Sequence, residues 1–125
     1  MSKEFKAGRY YIVDPGYVIA EQNWDEFLDN TDFDKGENQT YKQYPIFAHY
    51  TAQGDGLFQD KKGKIYSVDS GILGIMPIEA AEKPIPKTKV YGKLGHMVEF
   101  KQDFKVEYND GVFIFGDIVI DTKIG

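Results

Sequence analysis

The 125-residue sequence contains no cysteine, which excludes disulfide bonds and zinc sites built from thiolates. It also has no apolar run near the roughly 20 residues that a membrane-spanning helix needs. Its first residues lead into no apolar segment of the kind that a signal peptide requires. We therefore expect a cytoplasmic protein without a membrane partner.

Positive charge is scarce as well: the only arginine is Arg9, and the formal net charge is −5. Such a chain is a poor electrostatic match for phosphate backbones, so we predict no nucleic-acid partner. The acidic residues concentrate in residues 21–37, where seven acids face a single lysine. Two interpretations of this segment stay open: it docks on a basic protein, or it is a solvated helix and loop.

Apolar and aromatic residues are plentiful, at 42% and 15% of the chain, and can form the core of one domain. They occur in short runs rich in β-branched and aromatic residues, separated by glycine, proline, asparagine and aspartate. This pattern predicts a single, mainly β domain over residues 1–125. We expect a partly closed antiparallel sheet, as a barrel or a sandwich, of roughly eight to ten strands.

Local signals place the elements. The polar loop 60–64 predicts a hairpin of Leu57–Gln59 against Ile65–Val68, and Asn109-Asp110-Gly111 predicts a second hairpin. One short α-helix is predicted near residues 24–30, begun by a capping box of Asn23 and Glu26. Residues 32–44 read as a surface loop. Further strands are predicted at 9–13, 46–51, 72–76, 89–91, 95–100, 104–108, 112–115 and 117–121.

Residues 17–20 are also predicted to be extended, after the turn at Asp14-Pro15-Gly16. Whether they form a sharp hairpin with residues 9–13 or continue them as one bent strand stays open. The run of Ile118, Val119 and Ile120 predicts a final strand that is buried on both faces.

Three aspartates follow the ends of apolar strands, and each precedes a small or turn-forming residue: Asp14, Asp69 and Asp121. Such an aspartate can bond its own backbone two residues on and start a turn. In the alternative interpretation the three carboxylates converge in a shared site. They are therefore the candidate catalytic residues, although none is assigned firmly.

The string Val68-Asp69-Ser70-Gly71 matches the motif of aspartic proteases, in which two aspartates share a proton and activate a water molecule. A chain of this length would have to dimerise to supply the second aspartate. Ile72 stands where that family has a small residue, and no segment resembles the flap. The match therefore supports only an alternative hypothesis.

Metal and cofactor chemistry finds little support. His49 and His96 are the only histidines, and they are too far apart in the chain to form a metal-binding motif. The aspartates near Gly56 lack the spacing of a calcium loop. We predict no metal and no cofactor. The candidate binding residues are Trp24, Asp55 and Tyr17, with the alternative that Trp24 fills the core.

Four short strings carry a resemblance: Asp14-Pro15-Gly16-Tyr17-Val18, Gly54-Asp55-Gly56, Val68-Asp69-Ser70-Gly71 and Ile120-Asp121-Thr122. Together they resemble a group of small bacterial and phage proteins with D-P-x-Y-V, G-D-G, V-D-S-G and C-terminal I-D-T motifs. The resemblance implies a β-rich fold and no particular mechanism. Where that group has a cysteine in the first corner, this chain has Gly16, which weakens any catalytic role there.

The leading hypothesis is a small non-catalytic protein-binding or interaction domain of phage or mobile-element origin. Its partner would be another protein, or further copies of the chain in a homo-oligomer, since tyrosine-rich surfaces suit interfaces. One alternative is an aspartate-based hydrolase centred on Asp69, with Asp14 or Asp121. Another is a small-molecule-binding β-barrel with its ligand in the barrel mouth.

Overall fold

The computed structural model describes residues 2–31, 38–90 and 92–124. Within these ranges the chain forms fourteen strands, one α-helix and several short 3₁₀ helices. The strands are β1 Ser2–Phe5, β2 Gly8–Val13, β3 Thr40–Tyr41, β4 Tyr44–Pro45, β5 Phe47–Tyr50, β6 Gly56–Gln59, β7 Ile65–Val68, β8 Ile72–Pro77, β9 Lys87–Thr88, β10 Gly92–Lys93, β11 His96–Phe100, β12 Phe104–Asn109, β13 Val112–Phe115 and β14 Ile118–Asp121. The α-helix is α1 Trp24–Asn30, and 3₁₀ helices span Pro15–Tyr17, Glu21–Asn23 and Ile78–Ala80.

Two four-stranded antiparallel sheets form the body of the fold. Sheet one has the strand order β1-β12-β13-β14, and sheet two has the order β11-β2-β8-β5. Two-stranded ribbons join β3 to β4, β6 to β7 and β9 to β10. The prediction of a mainly β, antiparallel fold with one short helix is confirmed. The sheets are not closed, so "partly closed" describes them only loosely.

The two central strands of sheet two, β2 and β8, are covered on both faces. One face packs on sheet one in a first core cluster, which includes Tyr10, Phe47, Phe104 and Phe115. The other face packs on the helical segment in a second core cluster, made of Val13, Val18, Ile19, Phe27, Tyr41, Ile46, Met76 and Ala80. Strand β8 lies inside sheet two, and its residues 72–76 are all buried. A strand covered on both faces needs such an unbroken apolar run.

The local predictions of hairpins and helix are largely confirmed. Strands β6 and β7 pair with Leu57 opposite Ser67. Strands β12 and β13 pair across Asp110-Gly111, whose φ angles of 49° and 83° suit a tight two-residue hairpin turn. In β12, Phe104 and Val106 are buried while Lys105 is exposed, as the alternation of a half-buried strand requires. Helix α1 has the predicted bounds.

The predicted strand over residues 17–20 is wrong. Pro15–Tyr17 forms a 3₁₀ helix, because Pro15 fixes a helical φ and the Asp14 side chain accepts a hydrogen bond from the Gly16 amide. Val18 and Ile19 are buried after this turn. The predicted strand at 89–91 is also wrong at residues 89 and 90, which form the turn between β9 and β10. Tyr91 lies outside the described residues.

Two predictions that involved polar side chains are wrong. The Asn23 side chain makes no capping hydrogen bond to helix α1, so the capping box is wrong; its Nδ2 donates instead to Glu82 at 3.0 Å. Residues 32–37 of the predicted surface loop lie outside the described residues. Gln39, within the same predicted loop, is fully buried. Its side chain bonds the Ala48 amide at 2.7 Å and the Ala48 carbonyl at 3.0 Å, which satisfies the edge of β5.

Strand β14 is buried on one face rather than two. Ile118 and Ile120 are buried, whereas Val119 is partly exposed. In the described ranges, none of the helices combines the length and the apolar character needed to cross a membrane.

Candidate functional site

A cleft opens between the segment that follows β2 and the turn that follows β7. Its cavity volume is about 580 Å³. The lining residues are Asp14, Gly16, Tyr17, Ile19, Glu21, Trp24, Asp25, Asp69, Ser70 and Lys83. Four residues singled out from the sequence, namely Asp14, Asp69, Tyr17 and Trp24, therefore lie in one cavity.

Asp14 is fully buried at the base of the cleft and joins two turns. Its Oδ1 accepts hydrogen bonds from the Gly16 amide at 2.8 Å and from Ser70 Oγ at 2.6 Å. Its Oδ2 accepts from the amides of Asp69 at 2.7 Å and Ser70 at 2.8 Å. A carboxylate has about four lone-pair sites. Asp14 is therefore saturated by the protein and serves as a clamp.

Gly16 and Gly71 allow this clamp to form. A Cβ atom at Gly16 would lie 3.1 Å from Asp14 Oδ1, so a side chain there would crowd the carboxylate. Gly71 has a φ of 78°, a left-handed conformation that glycine adopts without strain. The Asp-Pro-Gly and Asp-Ser-Gly strings thus fold into two turns that meet at Asp14.

Asp69 and Tyr17 form a second polar contact in the cleft. The Tyr17 hydroxyl donates a hydrogen bond to Asp69 Oδ2 and lies 2.9 Å from Ser67 Oγ. Burial and then the hydrogen bond to Asp69 raise the pKa of Tyr17 to about 12. Tyr17 is consequently protonated at neutral pH and orients the Asp69 carboxylate, which is itself exposed.

Trp24 combines the two roles considered for it. Its ring stacks on Phe27, with centroids 5.4 Å apart and ring planes 9° apart. Phe27 is fully buried and also contacts Tyr41 edge-on at 5.2 Å. The indole is only half-buried and lines the cleft. It is therefore held by the core and still accessible to a ligand.

Glu82 anchors residues 20–23, which lie next to Trp24 in the chain and include the cleft residue Glu21. Its carboxylate accepts hydrogen bonds from the Ala20 amide at 2.8 Å, Asn23 Nδ2 at 3.0 Å, the Tyr41 hydroxyl at 2.9 Å and Lys42 Nζ at 2.9 Å. Burial acts to raise the pKa of Glu82, but these hydrogen bonds outweigh it and lower the pKa to about 2. No local pattern indicated this anchor, because its partners are dispersed along the chain.

The remaining candidates, Asp121 and Asp55, do not line this cleft. Asp121 lines a second cavity of about 660 Å³, together with Leu57, Ile65 and Val119, and its Oδ1 accepts from the Lys123 amide at 2.9 Å. Asp55 is not among the residues that line either cavity. Only two of the three strand-end aspartates are therefore brought together.

The histidines are also outside the cleft. His49 stacks on Tyr108 at 3.9 Å, and a ring nitrogen of His96 lies 2.9 Å from the Ile65 carbonyl oxygen. Among the residues that the structure describes, no group of three or more histidine, aspartate or glutamate side chains could hold a metal ion.

Sequence reasoning missed several residues of the cleft, namely Ser70, Ile19 and Lys83, and it had noted Glu21 and Asp25 only as members of the acidic segment. Ser70 had a usable signal, because it belongs to the Val68–Gly71 string. The lining carries four acidic side chains, Asp14, Glu21, Asp25 and Asp69, against the single base Lys83. With aromatic rings beside exposed carboxylates, the cleft is suited to binding a cation. Comparison of the chain with protein-family models, with curated proteins and with solved structures finds no match.

Proposed function

We propose that the chain is a non-catalytic, cytoplasmic protein-interaction domain, and that its cleft receives a side chain of a partner protein. One observation carries the proposal: Tyr17, Trp24 and Asp69 converge in an open cleft around Asp14, which is already saturated with hydrogen bonds. Rigid, amphipathic aromatic side chains next to polar groups are typical of the centres of protein interfaces.

The hydrolase alternative has one support, which is that Asp14 and Asp69 are neighbours in the cleft. A carboxylate pair that activates water needs the two carboxyl groups to share a proton. Here the contact runs from the Asp69 backbone amide to Asp14 Oδ2, and the other acceptor sites of Asp14 are occupied too. Asp14 has no lone pair left to accept a proton from water, so binding is the better-supported function.

A small-molecule site in a barrel mouth is less well supported than a protein site. The two main sheets are separate in the part of the chain that the structure describes, and the cleft lies beside the helical segment that packs on sheet two. With a volume of about 580 Å³, it can hold one or two side chains of a partner that continues across the surface.

Peptide display tests the proposal. A library of random twelve-residue peptides is selected in parallel on the wild-type chain, on W24A and on L57A. Trp24 lines the cleft, whereas Leu57 lines the second cavity and is 37% exposed. We expect peptides that bind the wild type and L57A but not W24A. The W24F variant keeps an aromatic ring next to Phe27. It therefore tests whether a loss of binding in W24A comes from loss of the fold.

The contrary result is equally clear. If no peptide is enriched on the wild type, or if every enriched peptide binds W24A as tightly as the wild type, the cleft is not the interaction site and the proposal is wrong.

A further inference from the structure

We infer that the group received in this cleft is a guanidinium, supplied by an arginine of the partner protein. The inference rests on the proposed function and names the chemistry of the partner. Its starting point is charge: the lining side chains carry a formal charge of −3, from four acids and one lysine. Glu21, Asp25 and Asp69 are exposed at the cleft and can reach a cation without its complete desolvation.

The Trp24 indole favours a guanidinium over an ammonium group. Phe27 stacks on one face of the Trp24 indole, which fixes the ring plane, and the half-buried indole lines the cleft. A cation above an indole is attracted by the ring quadrupole. A planar guanidinium also stacks on the ring and is less strongly hydrated than the compact ammonium of lysine. Arginine therefore fits this wall better than lysine.

The carboxylates supply directed acceptors. Tyr17 donates to Asp69 Oδ2 and orients that carboxylate. Among the residues that the structure describes, none donates a hydrogen bond to Asp69 Oδ1, so this oxygen can accept from the ligand. A guanidinium has five N–H donors in a rigid planar fork, so it can donate to a carboxylate from its edge while its face lies on an aromatic ring. Asp25, in the first turn of α1, and Glu21, in the 3₁₀ helix that precedes α1, also line the cleft and add negative charge to it.

Trp24 is the only tryptophan of the chain and therefore reports on the cleft directly. The wild-type protein is titrated with N-acetyl-L-arginine methylamide, while the indole N–H resonance and the tryptophan fluorescence are followed. The control probe is N-acetyl-L-citrulline methylamide, which has the same shape without the charge. We expect saturable shifts with the arginine probe and binding at least about tenfold weaker with the citrulline probe.

Variants of exposed residues sharpen the test without disturbing the core. D25N is expected to weaken binding of the arginine probe severalfold, and K83Q to strengthen it. L57A, in the second cavity, is expected to leave binding unchanged. Raising the salt concentration from 50 to 500 mM is expected to weaken the wild-type interaction, because exposed charges are screened.

The outcomes separate the two proposals. Equal responses to the arginine and citrulline probes, or no response to either, would overturn the guanidinium inference. If Trp24-dependent peptides are nevertheless selected from the library and lack arginine, the protein-interaction proposal survives this failure. If the library also yields no such peptide, both proposals fail.

Discussion

Asp14 and Asp121 occupy similar corners in the sequence and have different roles in the structure. Both side chains bond the amide two residues on, at Gly16 and Lys123 respectively. Asp14 is also fully buried and binds two amides and a hydroxyl of the distant 69–70 turn. Asp121 closes only its own turn, whereas Asp14 also holds two distant parts of the chain together.

This difference predicts unequal effects of the same substitution. D14N replaces one acceptor oxygen by an NH₂ group, which opposes at least one of the bonded backbone N–H donors and removes the charge from the remaining hydrogen bonds. We expect a loss of about 3 kcal/mol or more in the free energy of unfolding, since hydrogen bonds to charged groups contribute about 1.5–3 kcal/mol each. D121N keeps an acceptor for its turn and is expected to cost less than about 1 kcal/mol. Urea denaturation of the wild type and both variants measures the two losses in the free energy of unfolding.

Equal losses in the two variants would show that Asp14 acts only as a local turn residue. A change in the denaturant slope of D14N would point instead to an altered unfolded or native state, and the comparison would then be repeated with S70A, which removes a single partner of Asp14.

The residue-level predictions from sequence succeeded where the partner is local. The bond from an aspartate to the second amide after it follows from side-chain length alone, so the turns at Asp14 and Asp121 were predictable. The bonds from Asp14 to the amides of Asp69 and Ser70 span 55 and 56 residues. A single sequence contains no signal for contacts at that separation. Several residues of the candidate site were therefore predicted, but their meeting in one cleft was not.

The same boundary between local and distant interactions appears in the elements. Hairpins and helix α1 were predicted because turn residues and apolar spacing determine them locally. The segment after β2 was assigned as extended because its residues are β-branched and aromatic. Pro15 and the Asp14 cap directed it into a 3₁₀ helix instead, and Val18 and Ile19 became buried in the second core cluster. The turn residues outweighed β propensity there, and the second core cluster then buried the segment.

Glu82 shows how a single side chain joins elements that are each too short to be stable alone. It bonds the residue before one 3₁₀ helix, the residue before α1 and the β3–β4 ribbon at Tyr41 and Lys42. A helix of seven residues is well below the roughly 12–15 residues at which isolated helices become marginally stable. The Glu82 carboxylate therefore helps to hold the helical cover of sheet two in place, that is, the 3₁₀ helix Glu21–Asn23, helix α1 and the β3–β4 ribbon.

This anchor predicts a dependence of stability on pH. The folded-state pKa of Glu82 is lowered from 4.5 to about 2, so its contribution is fully present above pH 4.5 and is lost as the pH falls towards 2. E82Q is expected to lower the melting temperature at pH 7, with a difference from the wild type that shrinks between pH 4.5 and pH 2. Melting curves at pH 7, 4 and 2.5 measure this convergence.

The matched control is E99Q, at an exposed position of β11. It is expected to follow the wild-type pH profile. A constant difference between E82Q and the wild type across the whole range would mean that Glu82 acts through packing and neutral hydrogen bonds, and that its charge contributes nothing.

At the scale of the whole molecule, the described residues form two four-stranded sheets and three two-stranded ribbons, with a helical segment packed on sheet two. Sheet one is completed by the pairing of β1 with β12, in which Phe5 lies opposite Phe104 and stacks on it at 5.6 Å. Strands β5 and β8 approach so closely that a Cβ atom at Gly74 would lie 2.5 Å from the Phe47 carbonyl oxygen. Strand order and these long-range contacts were not predictable, because alternation gives the buried face of a strand and not its neighbour.

The cleft is built on the cover, so its stability can differ from that of the sheets. Phe27 and Phe115 are both fully buried, the first in the second core cluster and the second in the first cluster. Truncation of either ring to alanine is expected to cost about 3–5 kcal/mol in total. We expect F27A to raise amide hydrogen exchange mainly in α1 and to expose Trp24 to solvent, with a red-shifted fluorescence. F115A is expected to raise exchange throughout both sheets, since Phe115 lies in the core cluster between them. If F27A instead raises exchange in β13 as much as in α1, cover and sheets unfold as one unit, and the cleft is as rigid as the core beneath it.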